Sequence, residues 1–557
     1  MTLPSLLWPP DRPPQARQGS RFRPETAADL DLKPVLRALT GYEERRERFV
    51  SAVLTDLCAD PGVIAYRADV VSNLLSDRAL RERLGALLPQ LSTLVRERQR
   101  PVFGYGWSLG QIVQRLGEVE LYVEVALGLS EALEGAALHA PALQTLRDSI
   151  QALVGTPEFE ALQTELPDLR ARLDGVRSVT IGVNLADDLQ PESATILSVD
   201  TEKIEGRAGL LSRLLGEETS RRGITRLRDG QGNSLRAFFP PMEADARGRQ
   251  NALVEDLQRL LERVVAPVGE AIENYVWVQT RDFAVLDSEL SFLLNGAALI
   301  ERLRGVGLPV CRPQIAPADD RLCCLEESYN VSLALRLMQD KNRGPAELVP
   351  NQVTFDGSHG RVWILTGPNR GGKTTYIRAV GLAQLLFQAG LYAPARGGRM
   401  SPVDAVYTHF PRMEGATPGE GRLDEEAVRL AEIFREATPH SLILLNEVLS
   451  GTSTLEALCL ARDAVRGLRL LGARAIYVTH LHELARQVEE INGTTDGDSP
   501  VGSLVAEVDD DAGGHRRTFR IRPRAPLGLS YASEIAEQHG ISYVQLEALL
   551  QQRGLIS

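Results

Sequence analysis

The sequence predicts a multidomain chain: an α-helical block with a small β insert, then an α/β domain built on a phosphate-binding loop, then a C-terminal strand and helices. Three observations predict it. From about 33 to 175, apolar residues recur every three or four positions, as in YEERRERFVSAVLTDLC and ALRERLGALLPQLSTLVRERQ, the period of helices with one buried stripe. From about 176 to 240 the pattern turns β-branched or alternating, as in VRSVTIGVNL and ATILSVD, before helical segments return at about 250–305. From about 307 to 500 the order reads strand, Gly-rich loop, helix, strand, helix, strand, which suggests βαβ units and a mostly parallel sheet.

Bulk composition sets the frame. The chain has 557 residues, 43% of them hydrophobic, enough for about three to four domains with full cores. Its net charge of −12 excludes a global attraction to nucleic acid, so any such binding needs a local patch. Five scattered cysteines without a Cys-x-x-Cys pair point to a reducing, cytoplasmic setting and no zinc site. There is no run of about 18 apolar residues, so no membrane span is expected.

Taken in order, residues 1–30 read as a disordered tail, because Pro9, Pro10, Pro13 and Pro14 forbid a helix there. Residues 31–306 read as the helical block, interrupted by the insert at about 176–240. Asp60-Pro61, the stretch Gly104 to Gly110, and Thr156-Pro157 punctuate its helices. Between 203 and 236, eight basic residues stand against four acidic ones, a local net charge of +4. Arg213, Arg221, Arg222, Arg226 and Arg228 are the candidate nucleic-acid contacts in that stretch; a solvated charged face is the other reading. Residues 307–505 form the α/β domain, and 506–557 a basic strand, HRRTFRIRPR, followed by helices.

RVWILTGPNRGGKTTYIRAVGLAQLLFQAG, residues 361–390, carries the strongest signal. Gly367, Gly372, Lys373 and Thr374 fit the spacing G-x-x-x-x-G-K-[ST], with an apolar strand before and an amphipathic helix after. Glycines let backbone N–H groups converge on phosphates, and the helix N-terminus adds partial positive charge. Lys373 is expected to reach the terminal phosphates and the Thr374 hydroxyl to bind Mg²⁺. Pro368, Asn369, Gly371 and Thr375 complete the loop. Further on, LILLNEVLSGTST at 442–454 reads as a buried parallel strand that delivers Asn446 and Glu447 to the phosphate crevice. ARAIYVTH delivers His480 in the same way. A metal reading of His480-x-His482-Glu483 is set aside, because that spacing at a strand end rarely brings both imidazoles to one ion.

These strings, LTGPNRGGKTTYIRAVGLAQL, ILLNEVLSGTSTLEALCLA, YVTHLHELA and SYASEIAEQHG, resemble the MutS family of DNA mismatch repair ATPases in content, order and spacing. The resemblance implies a helical core and lever with a clamp-like insert, an ABC-type ATPase domain that works as a homodimer on DNA, and a C-terminal dimerisation segment. It also implies ATP and Mg²⁺ at the subunit interface. Glu447 would be the residue that activates water, and His480 the γ-phosphate sensor. Glu456 would lie near the dimer interface. Tyr329 falls where the family places residues near the base, either stacked on adenine or packed in the core.

Departures from the family pattern carry equal weight. The mismatch-reading and connector domains need roughly 200 residues or more ahead of the core, and about 35 stand there. The family's Phe-x-Glu wedge occurs here only as Phe434-Arg435-Glu436, inside the ATPase domain. A shortened member without direct mismatch reading is therefore expected. The signature loop GATPGEGRLDEE has Gly421, Arg422 and Leu423 where serine before phenylalanine is usual. Arg422 is either a phosphate contact across the interface or an exposed loop arginine. Nothing after the ATPase resembles the nuclease module of some relatives. Finally, Asn446 replaces the Mg²⁺-supporting aspartate of the Walker B strand, so slow but real hydrolysis is expected. The alternative is an ATP-switched scaffold with negligible hydrolysis, acting on a protein or RNA partner.

Overall fold

The computed structural model describes residues 3–13, 22–98, 109–174, 178–185, 187, 191–200, 202, 280–340, 342–411, 422–449, 453–511, 514–526, 540–553 and 555. The basic stretch 203–236, most of the signature loop, and most of SYASEIAEQHG lie outside the described residues.

The N-terminal half is helical: α1 (Pro24–Asp29), α2 (Lys33–Leu39), α3 (Glu47–Thr55), α4 (Pro61–Ser76), α5 (Arg78–Arg98), α6 (Leu109–Leu133), α7 (Pro141–Val154) and α8 (Pro157–Asp174). The dipeptide Asp60-Pro61 shows how the sequence starts a helix. The Asp60 carboxylate accepts from the Gly62 N–H at 2.7 Å, and proline takes the first helical position, where its missing N–H costs nothing. Strands β1 (Ser178–Leu185) and β2 (Pro191–Asp200) pair as an antiparallel hairpin, and α9 (Thr280–Gly305) restores the helical pattern.

The chain divides into two compact units. One comprises residues 1–3, 83–136 and 145–287. In it the Tyr122 ring of α6 meets Phe159 of α8 with centroids 6.1 Å apart, and Phe283 of α9 edge-on at 5.5 Å. Ser92 donates to Asp287 at 2.6 Å.

The other unit comprises residues 4–82, 137–144 and 288–557. In this unit α1 to α4 and the later part of α9 group with the α/β sheet. Its further elements are β3 (Gln314–Ile315), β4 (Cys323–Ser328), α10 (Val331–Leu337), β5 (Asn351–Phe355), β6 (Val362–Thr366), α11 (Lys373–Gln388), β7 (Gly397–Met400), β8 (Val406–His409), α12 (Arg422–Glu436), β9 (Leu442–Asn446), α13 (Thr454–Leu471), β10 (Arg474–Val478), α14 (His482–Arg486), α15 (Val488–Thr494), β11 (Val501–Asp511), β12 (Gly514–Pro523) and α16 (Tyr543–Gln552).

Six strands form the main sheet in the order β12-β11-β6-β10-β9-β8, parallel except for β12. Every residue of β6, β9 and β10 is buried, which is why they read as unbroken apolar runs. A second, four-stranded sheet has the order β3-β7-β4-β5. Buried Arg474 joins the two: from the start of β10 its guanidinium donates to the carbonyls of Leu322, Ser401 and Pro402 at 2.8–3.1 Å.

The N-terminal expectation is corrected where the structure describes it. Leu6 and Leu7 are buried, and residues 24–29 are a helix. That helix packs on β8, the exposed edge of the sheet, where an uncovered strand would leave backbone groups unpaired. Asp29 fastens it, accepting from Thr408 at 2.7 Å and Arg429 at 3.0 Å. Residues 9–13 form no helix but a loop with a turn closed by the Arg12 N–H to the Pro9 carbonyl at 2.9 Å, and prolines suit a docked loop as well as a free tail. Among the described residues one helix, Asp282–Gly305, is long and apolar enough to cross a membrane, but 72% of its apolar window is buried within the protein, as for a core helix.

Candidate nucleotide-binding site

Register alone brings the site together. Val362–Leu365 of β6 pair with Ala475–Val478 of β10, and Leu442–Asn446 of β9 with Arg474–Val478. All three strands therefore end at one edge of the sheet, and the residues that follow each strand share that edge. After β6 comes the loop Gly367–Gly372, after β9 Glu447, and after β10 Thr479 and His480. Two backbone bonds lock the level: Glu447 N–H to the Val478 carbonyl at 2.9 Å, and Thr479 N–H to the Leu365 carbonyl at 3.0 Å.

The loop opens onto α11. Gly367 has φ 140°, and a Cβ there would lie 2.7 Å from the Cβ of Ala506 on β11. Both a positive φ and the close approach of β11 require glycine at this position. The Lys373 ammonium is buried and donates to the carbonyls of Gly367 and Pro368 at 2.8 and 2.9 Å. Burial lowers its pKa to about 8, with Glu447 pulling the other way. Asn369 and Arg370 are exposed on the loop.

Glu447 and Leu449 sit in the left-handed region, at φ 53° and 62°. Non-glycine residues are held there only by their surroundings, and such strain collects at functional sites. Here Glu426 of α12 supplies part of the hold, accepting from the Leu449 N–H at 2.7 Å. The Glu447 carboxylate is 2.7 Å from His480 Nε2. That hydrogen bond holds the carboxyl below the usual range, against the opposing effect of burial, with the charges of His480 and Lys373 assisting.

Thr374 Oγ1 and Asn446 Nδ2 are 3.5 Å apart, and the buried Asn446 Oδ1 has no protein hydrogen-bond partner. A hydroxyl oxygen next to a side-chain amide whose own oxygen is buried and unsatisfied suits a hydrated hard cation such as Mg²⁺, whose waters would donate to that amide oxygen. Thr374 and Asn446 therefore fit the metal role expected of them, with Asn446 offering no charge.

A cleft of about 360 Å³ runs from Gly371–Thr375 and Glu447 past Leu348, Val349 and Asn351 to Arg343. Tyr329 lies in its wall but is only 2% exposed, held by packing and offering little ring face for stacking. The aromatic surface in the cleft comes from Phe519 on β12, which the sequence reading passed over. Phe519 is 45% exposed, has φ 58°, and lies 3.5 Å from a Cβ built on Gly372. Asn351 pins the irregular backbone there, donating to the Phe519 carbonyl at 3.1 Å and accepting from the Ile521 N–H at 2.6 Å. Alternation places Phe519 on the same face as buried Ile521; the register shift between Ala506 and Val508 on the paired strand separates them.

The remaining site expectations fall elsewhere. Arg422 is the first residue of α12. Glu456 lies in the first turn of α13, exposed, where Ser453 caps the helix and donates to it at 2.8 Å. Arg213, Arg221, Arg222, Arg226 and Arg228 lie outside the described residues. On β12, Arg517, Arg520 and Arg522 are exposed, as is Arg524 just after it, but the partner strand is acidic, with Arg522 4.0 Å from Glu507.

Comparison with known families agrees with this geometry. The model "MutS domain V" matches residues 363–503, and the model "MutS2 N-terminal domain" matches residues 59–306. DNA mismatch repair protein MutS of Granulibacter bethesdensis is 30% identical over 497 residues, covering 84% of this chain and 51% of that protein. DNA mismatch repair protein MutS of Caldicellulosiruptor saccharolyticus is 35% identical over 157 residues, covering 28% of this chain and 18% of that protein. The chain thus spans about half the length of the first of these relatives, and less of the second.

Proposed function

The chain belongs to the MutS family, and from that premise we propose that it is a slow ATPase whose nucleotide cycle is coupled to holding DNA, without direct mismatch reading. The observation that carries the reading is the shared sheet edge at which Lys373, Thr374, Asn446, Glu447 and His480 converge. Lys373 and the loop N–H groups hold the phosphates. Glu447 orients and deprotonates the attacking water, with His480 fixing its carboxylate until a γ-phosphate competes for the imidazole. Bound Mg²⁺ would neutralise charge that develops on the phosphates, held by Thr374 and, through water, Asn446.

Absence of mismatch reading is supported by the position of Phe434-Arg435-Glu436 on α12, where the Phe434 ring packs against Gly467 of α13. A second copy of the chain is supported by α16, which buries none of its residues and exposes Tyr543 and Val544. The alternative, a nucleotide-held switch with negligible hydrolysis, is favoured by one observation, the uncharged amide of Asn446 at the metal position. The deciding experiment is ATP turnover with Mg²⁺, alone and with duplex, branched and single-stranded DNA. A DNA-dependent rate supports the ATPase reading. Nucleotide binding without turnover, revived only by Asn446→Asp, supports the switch.

Two properties of the cleft give further expected results. Phe519 provides a stacking face for the base. Phe519→Ala should weaken ATP about fivefold, roughly 1 kcal/mol of stacking, and leave inorganic tripolyphosphate affinity unchanged in competition titration. An equal loss for tripolyphosphate would show that Phe519 acts on the phosphate loop instead. The second concerns pH. Lys373 binds phosphate only as the ammonium, and its pKa in the free protein is about 8. Affinity for ATP should therefore hold from pH 6.5 to 7.5 and fall about tenfold between pH 7 and 9. A flat profile in that window would mean that Lys373 remains charged.

A further inference from the structure

The segment read from sequence as a loose tail is wired to two buried ionisable side chains. Arg67 of α4 is 1% exposed and Glu289 of α9 is 3% exposed. Both are satisfied by residues 5–8. Glu289 accepts from the Ser5 hydroxyl and from the Leu6 N–H, each at 2.6 Å. Arg67 donates to the Leu7 carbonyl at 3.0 Å, and its guanidinium lies 4.4 Å from the centroid of the Trp8 ring. Tyr66 adds a bond to the Ser5 carbonyl at 3.0 Å. Removing the segment would leave both buried groups without these partners, a strongly unfavourable state, so this segment is an integral part of the core.

Arg67 also reaches the other way. It donates to the carbonyl of Gln388 at 3.3 Å, at the far end of the helix whose first residues are Lys373 and Thr374. Gly390, just beyond, has φ 80°, and a Cβ there would lie 2.1 Å from the Cβ of Arg67. The end of α11 is therefore pressed against Arg67 too closely to move alone. Gln388 itself is fixed by bonds to the carbonyls of Cys58 and Val403 at 3.0 and 2.8 Å. A continuous buried chain thus runs from α11 through Arg67 and residues 5–8 to Glu289 on α9.

We propose that residues 5–8 are a latch that couples the nucleotide helix α11 to the long helix α9. The inference rests on the nucleotide reading above for what moves α11, but the latch itself has a test that needs no nucleotide. Hydrogen exchange is followed by mass spectrometry in the full chain, in a chain lacking residues 1–12, and in full-length Trp8→Ala. Loss of the latch should speed exchange at both 386–391 and 288–292, roughly tenfold or more in the truncated chain and less in Trp8→Ala. A synthetic peptide of residues 2–12 should restore protection at both places, and the same peptide with Ser5→Ala and Trp8→Ala should not. Loosening at one place only, or failure of the peptide to protect either, overturns the latch. Should the truncated chain not fold, Trp8→Ala carries the same comparison alone.

Coupling is then read with a non-hydrolysable ATP analogue. In the full chain the analogue should change exchange at 288–292. In Trp8→Ala that change should fall by at least half while analogue affinity stays within about twofold. An analogue that binds without altering 288–292 in the full chain overturns the latch and leaves the ATPase reading standing. No binding at all overturns the nucleotide reading and the coupling with it.

Discussion

Glu447→Ala should bind ATP with nearly unchanged affinity and hydrolyse it at least about 100-fold more slowly, since a positioned general base contributes roughly 10²–10⁴-fold. On the proposed ATPase reading, Lys373 and the loop amides, not Glu447, would hold the phosphates, so binding is spared. The loss falls on turnover because Glu447 is the carboxylate that follows β9 directly and bonds His480 at this edge. The hydrogen bond from His480 keeps the Glu447 carboxyl ionised below the ordinary carboxylate range. Wild-type turnover should therefore show no carboxylate titration near neutrality, and any such limb should appear only under acid conditions. Single-turnover hydrolysis and equilibrium binding of a fluorescent ATP analogue check the two halves separately. Undiminished turnover in the variant would remove Glu447 from the mechanism, and a large loss of binding would make its role structural.

How much of this was legible before the fold is clear from particular residues. Lys373, Thr374, Asn446, Glu447 and His480 were all readable, because each follows an apolar run that can only be a buried parallel strand, and such strands end at a common edge. Phe519 was hidden. Its part in the cleft depends on a left-handed residue and a register shift, and neither leaves a trace in residue type, since phenylalanine in a basic alternating strand looks inward-facing. The N-terminal segment was hidden for a different reason. Four prolines exclude a helix over 9–14, and composition then cannot tell a loose tail from an irregular docked segment whose partners, Arg67 and Glu289, lie tens to hundreds of residues away. Local rules find strands and caps; long-range polar pairing has no local signature.

Asn446→Asp should raise turnover roughly 5–30-fold. A hydrogen bond from a metal-bound water to a carboxylate is worth about 1.5–3 kcal/mol and to a neutral amide about 1, a difference of about 1–2 kcal/mol. The geometry allows the gain without rebuilding: the amide oxygen is already buried without a protein partner, and the amide nitrogen, 3.5 Å from Thr374 Oγ1, would give way to a second carboxylate oxygen that can accept from that hydroxyl or from a metal-bound water. The substitution should also show itself apart from activity. A buried carboxylate one residue from Glu447 is repulsive until a cation arrives, so the variant should melt below wild type in chelator. It should recover more than wild type on adding Mg²⁺ and an ATP analogue. The Mg²⁺ concentration needed for half-maximal analogue binding should fall by a similar 5–30-fold. If turnover and Mg²⁺ dependence both stay at wild-type values, Asn446 does not face the cation, and slow hydrolysis needs another cause. If Mg²⁺ dependence sharpens while turnover stays absent, the metal position is right and catalysis is limited elsewhere.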